Sequence, residues 1–194
     1  MKFAVLTAAA LVATAALSTT VPSTGVLAAG TEATVLVGGQ QMFPSKDIID
    51  NAVNSADHTT LVAAVKAAGL VDALKGTGPF TVFAPTNEAF ADLPAGTVDT
   101  LLKPENKATL TRILTYHVVA GDYTGAKLRS LIQKNHGSVT LKTLAGGELT
   151  LMMNGPNNFA VRDEKGDIAD VTISDVRQSN GVIQVVDKVL MPGA

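Results

Sequence analysis

The chain has 194 residues and contains neither cysteine nor tryptophan. The absence of cysteine excludes disulfides, thiol catalysis, cysteine-bound zinc and attachment through a lipidated cysteine, so stability has to come from packing. Aromatic residues make up only 4% of the chain and charged residues 16%. The core must therefore be built mainly from aliphatic side chains and alanine. Positive charge is also scarce: 15 Lys and Arg against 17 Asp and Glu give a net charge of −2, and no basic cluster offers a nucleic-acid surface. No Asn-x-Ser/Thr sequon occurs.

The motifs of familiar chemistries are missing too. There is no G-x-S-x-G elbow, no phosphate loop, and no G-x-G-x-x-G opening a helix after a strand. His58, His117 and His136 are far apart and form no ligand pair of the H-x-H or H-E-x-x-H kind. Asp163, Glu164, Asp167 and Asp170 lack the spacing of a calcium loop and read as a solvated hairpin tip. No catalytic residue, cofactor or metal is expected.

What is present begins with Met1-Lys2 and an uncharged, weakly apolar run from Phe3 to Leu17, then a polar stretch ending in Val26-Leu27-Ala28. This pattern is that of a signal peptide over residues 1–28, with cleavage after Ala28 and export to the periplasm or beyond the cell. No later segment is long enough to span a bilayer. Residues 29–43 read as a flexible leader with Gly38-Gly39 as its loosest point, and residues 44–192 as one domain.

Within that domain apolar residues recur at helical spacing around Ile48, Ile49 and Val53, then at Leu61, Val65 and Ala68, with Asp57 as N-cap and Gly69 as stop. The stretch 80-FTVFA-84 reads as a buried strand ended by Pro85, with Thr86 capping the next helix. Further helices are expected at 97–102, after Pro104 and at 126–132, and 116-YHVVAGD-122 as a β segment. From Val139 onward the period becomes two, with turns at Gly146-Gly147, Asn154-Gly155, Asp163 to Gly166 and Asn180-Gly181. Helices first and a meander after predict an α+β fold.

Three blocks, TVFAPTNEAF, YHVVAGD and NGVIQVVDKVLMP, in this order and separation, closely resemble the signatures of the fasciclin domain. The segments TLVAAVKAAGL and LLKPENKATLTRIL resemble single-domain exported bacterial members of that family. The resemblance covers residues 44–192. It implies a compact wedge of N-terminal helices packed on a mainly antiparallel sheet, no established catalytic residues, and adhesion or contact at a cell surface.

In animal members of the family, integrin binding is assigned to the tyrosine-histidine block and to short Asp-Ile motifs. By position, the resemblance makes Tyr116 and His117 candidate interaction residues. The pairs Asp47-Ile48 and Asp167-Ile168 are further candidates. From their apolar flanks alone, Tyr116 and His117 read as half-buried groups bonded to nearby backbone, on opposite faces of a strand. Asp187, set in an aliphatic strand, has to be exposed or hydrogen-bonded. Gln184 stands where the last block often carries histidine. The expected partner is a cell-surface or matrix protein or a glycan, met by a monomer. The alternatives are a small-ligand binder with a groove between helices and sheet, an envelope structural protein, and a hydrolase built around His117.

Overall fold

The computed structural model describes residues 34–193. The expected signal peptide, residues 1–28, lies outside the described residues, as does the start of the leader. The rest of that leader departs from expectation. Val35–Val37 (β1) and Gln40–Met42 (β2) pair antiparallel, with Val37 opposite Gln40. Gly38 and Gly39, at φ 58° and 73°, form the two-residue turn that joins them. A side chain at Gly38 would stand 2.7 Å from Ser55 Oγ and 2.6 Å from Asp57 N, so the turn lies directly on the following helical segment. Val37 and Met42 are buried.

Helix α1 (Ile48–Ala52) starts where the Asp47 carboxylate accepts from Asp50 N at 2.8 Å. It buries Ile48 and Ile49, while Val53, expected on the same face, is 46% exposed. A 3-10 turn over Ala56–His58 leads into α2 (Thr59–Ala68), so His58 rather than Asp57 precedes the helix. Gly69 ends α2 in the left-handed conformation, as its position predicts. After α3 (Val71–Leu74) comes β3 (Phe80–Pro85), and Thr86 Oγ1 accepts from Ala89 N at 3.3 Å to cap α4 (Asn87–Ala91). Helix α5 (Thr97–Leu101) and a 3-10 turn at Pro104–Asn106 precede α6 (Lys107–Tyr116).

The chain then enters β4 (Val118–Ala120) and α7 (Gly125–Lys134). It continues through β5 (Ser138–Lys142), β6 (Glu148–Asn154), β7 (Asn158–Arg162), β8 (Ile168–Gln178) and β9 (Gly181–Val186). The strands form a seven-stranded sheet in the order β4-β3-β9-β8-β7-β6-β5, antiparallel except where β3 runs parallel to β9. A bridge between Val119 and Thr143 brings its two edges together. The fold is α+β, with helices packed on a mainly antiparallel sheet.

Two apolar cores result. The first lies between the hairpin, α1, α2, α6 and one face of β3 and β9; it contains Met42, Leu61, Phe90 and Ile183. The second is enclosed by the curled sheet and α7; it contains Phe83, Tyr116, Leu128 and Leu149. Phe83 and Phe90, one on each side of the Pro85-Thr86 joint, therefore anchor different cores.

Asn180 fastens the helical layer to the sheet. Its Oδ1 accepts from Ile48 N at 3.1 Å, and its Nδ2 donates to Leu74 O at 2.8 Å and Gly76 O at 3.0 Å. Asn180→Ala strands two buried backbone groups and one part-buried one while removing little apolar volume. A loss of about 2 kcal/mol is expected in urea unfolding; an unchanged midpoint would show that water replaces the amide at no cost.

Candidate functional site

The LTYHVVAG stretch spans a junction, and its first half is helical. Tyr116 is the last residue of α6, His117 caps it in the right-handed helical conformation, and only Val118 begins the strand. Both side chains are buried, at 0% and 2% exposure, which corrects the expectation of half-buried rings on a strand. They diverge because successive residues at a helix end point about 100° apart. Tyr116 enters the second core, and His117 lines the inner side of the first. Neither can touch a partner.

Their hydrogen bonds show what they do. The Tyr116 hydroxyl donates to Glu148 O at 2.7 Å and accepts from Glu164 N at 3.0 Å. It thus ties the start of β6 to the turn between β7 and β8. Burial, reinforced by the neighbouring Glu164, Asp163 and Glu148 carboxylates, pushes the phenol up to about 12 against the help of the Glu164 N–H. His117 Nε2 accepts from Leu190 N at 2.9 Å, which makes Nδ1 the protonated nitrogen, donating to Ile113 O at 2.8 Å. Burial pushes the imidazole down to about 4, in spite of the Ile113 carbonyl and the more distant Asp163 charge.

The same turn holds Asp163 and Glu164, both expected at a solvated hairpin tip; Glu164 is exposed there, and Asp163 is not. Asp163 is 5% exposed. Its Oδ1 accepts from Lys165 N and Asp167 N, both at 2.9 Å, and its Oδ2 from Met191 N at 2.9 Å. Glu164 accepts from Glu148 N at 3.0 Å and Gly193 N at 2.7 Å, and the Gly193 contact first, then Glu148, holds its carboxyl below the usual range. Arg112 completes the arrangement by donating to Gly193 O at 2.8 Å. The Asp at the head of DEKGD was a legible turn signal; the docking of Met191 and Gly193 had none.

On this braced turn Asp167 and Ile168 face outward. Ile168 is 45% exposed, and Asp167 is exposed with no side-chain hydrogen bond or ion pair among the described residues. The other Asp-Ile pair is structural: Asp47 caps α1 and lies 3.4 Å from Lys75, and Ile48 is buried. The structure does not bring Asp47-Ile48, Tyr116-His117 and Asp167-Ile168 together into one exposed patch. Tyr116 reaches the third pair only indirectly, through Glu164. Leu144, 49% exposed, lies in the turn between β5 and β6 at the same end of the sheet.

The remaining polar residues of the last block are structural. Gln184 is fully buried, accepts from Asp175 N at 3.1 Å and donates to Tyr123 O at 3.1 Å. Asp187 accepts from Asp170 N at 2.7 Å, as its setting requires. A hydroxyl–imidazole contact does occur, Ser55 Oγ to His58 Nδ1 at 2.9 Å, but Ser55 also reaches Val37 O at 3.4 Å and fastens the hairpin. Among the described residues no group of three His, Cys, Asp or Glu is placed to hold a metal ion, and no helix is long and apolar enough to cross a membrane.

The family model of the fasciclin domain matches residues 56–192. Protein sll1483 of Synechocystis is 48% identical over 164 residues, covering 84% of this chain and 82% of that protein. Immunogenic protein MPB70 of Mycobacterium bovis is 40% identical over 148 residues, covering 74% of this chain and 67% of that protein. A solved FAS1 domain pair from the insect cell adhesion molecule fasciclin I superposes with a TM-score of 0.69 at 19% identity. That match covers 83% of this chain and 58% of the other, and the likeness is one of fold.

Proposed function

Because the chain belongs to the fasciclin domain family, we propose that it is a non-enzymatic adhesion or interaction module working outside the cytoplasm. Its partner is a cell-surface or matrix protein or glycan, and it acts as a monomer without a cofactor. The supporting observation is the exposed Asp167-Ile168 pair on a turn whose backbone is fixed by Tyr116, Asp163 and Glu164. A free carboxylate beside an exposed aliphatic side chain, on a rigid support, is a contact that loses little conformational entropy on binding. The signal-peptide pattern at residues 1–28 supports export, and the single described domain supports direct presentation to a partner.

Removing both side chains tests the reading without touching the bracing bonds, which use only the backbone N–H and C=O of Asp167. Asp167→Ala combined with Ile168→Ala is expected to reduce attachment of expressing cells about tenfold, on the order of 1.4 kcal/mol. The melting temperature should stay within about two degrees, since neither side chain is buried. Attachment equal to wild type in the double variant would move the contact elsewhere. Attachment unchanged in a strain lacking the protein altogether would end the adhesion reading.

A further inference from the structure

The first core is not completely filled. Between the N-terminal hairpin, α1, α2 and the sheet it leaves a cavity of about 50 Å³, walled by residues that include Val37, Ile49, Val65, Val82 and Ile183. A water needs about 10–15 Å³ and two to four polar partners, so there is room for several but little to hold them. Of the polar side chains on the wall, His117 has both nitrogens engaged, and Ser55 is bonded to His58 Nδ1. His58 Nε2 remains. It is buried, on a residue 3% exposed, and no partner meets it with good hydrogen-bond geometry, although the Ala84 carbonyl is placed to favour a proton on the ring.

An apolar cavity with a single unsatisfied polar atom describes its occupant. We propose that it binds a small neutral amphiphile, an aliphatic or aromatic molecule carrying one hydroxyl, with its apolar body on the aliphatic walls and its hydroxyl on His58 Nε2. A hydroxyl both donates and accepts, so it satisfies that nitrogen in either tautomer. A carboxylate does not fit, because its charge would enter an apolar enclosure. The half-exposed Ala52, Val62 and Val71, with the stem of Lys66, line the side of the cavity nearer solvent and form its mouth. The hairpin and α1, which precede the 56–192 family match, supply the cover. This site is separate from the Asp167-Ile168 turn and does not depend on the adhesion reading.

The test is a titration of the purified full chain, labelled at histidine with nitrogen-15, with 1-hexanol as probe. A saturable shift of the His58 ring resonances is expected, with a dissociation constant on the order of a millimolar, typical of a good fit for so few atoms. Hexanoate, of equal chain length, should bind at least tenfold more weakly. Ala52→Leu, which narrows the mouth without touching His58, should weaken hexanol at least tenfold; Val62→Phe narrows it from α2 if the first variant fails to fold. The proposal is overturned by any of three results: no saturable shift up to the solubility of hexanol, equal binding of hexanoate, or undiminished binding in the narrowed variant.

Discussion

Tyr116→Ala is expected to lower the unfolding free energy by about 4 kcal/mol. The ring is fully buried in the second core, and aromatic-to-alanine changes at such positions cost about 3–5 kcal/mol because the cavity collapses only partly. The hydroxyl adds its own share. Its loss leaves Glu148 O and Glu164 N without their bonds at 2.7 Å and 3.0 Å. Tyr116→Phe separates the contributions, since it keeps the ring and removes only the hydroxyl; about 1–2 kcal/mol is expected. Urea unfolding with an unchanged slope gives both values. The phenylalanine variant should also accelerate amide exchange at Glu164 while leaving that of the β3–β9 ladder alone. An alanine variant within about 1 kcal/mol of wild type would show that the second core repacks around the gap, and the bracing role of Tyr116 would fall with it.

That result bears on how a buried residue can matter for contact. A tyrosine at 0% exposure has no partner to meet, yet its hydroxyl sets the position of the turn that presents Asp167 and Ile168. Loss of attachment in a Tyr116 variant is therefore expected to follow loss of stability. The double variant at Asp167 and Ile168 is expected to separate the two.

Much of the fold was legible because its signals are local. Gly69 at a helix stop, Thr86 at a cap and Asn180-Gly181 before the last strand act within three or four residues, and the alternation of Leu149, Leu151 and Met153 needs only the strand's own period. The features that escaped are set by distant partners. Gly38-Gly39 reads as slack until Ser55 and Asp57 are seen packed beneath it. Three-residue strands are also too short to show a period. The helix-to-strand joint at Tyr116 is hidden in TLTRILTYHVVAG, where β-branched residues on both sides of the boundary suit either state. Asp163 looks solvated because carboxylates usually are; the amide of Met191, 28 residues on, is what buries it. The candidate site divided in the same way. The Asp-Ile pairs could be found by eye, but only the fold distinguishes the pair that caps a helix from the pair that faces solvent.

His117 sets the second large expectation, a loss of stability on mild acidification. Its imidazole has an ordinary value of 6.5 in the unfolded chain and is pushed down to about 4 by burial in the fold. Above pH 6.5 the ring is neutral in both states and the fold keeps its full stability. As the pH falls from 6.5 toward 4, the unfolded chain takes up a proton that the folded protein refuses, so unfolding is favoured. At about 1.4 kcal/mol per unit, that window costs about 3 kcal/mol, most of it by pH 4.5. His58, lowered in the same direction by burial, adds to the fall. Glu164 acts elsewhere: its carboxyl lies below 4.5, so its contribution is lost only as the pH drops further. Urea midpoints at pH 7 and pH 4.5 measure the effect, and His117→Gln, which cannot titrate and keeps an acceptor for Leu190 N, should remove most of it. If the glutamine variant loses as much stability between those two pH values as wild type, His117 is not the group that responds, and the remaining buried candidate is His58.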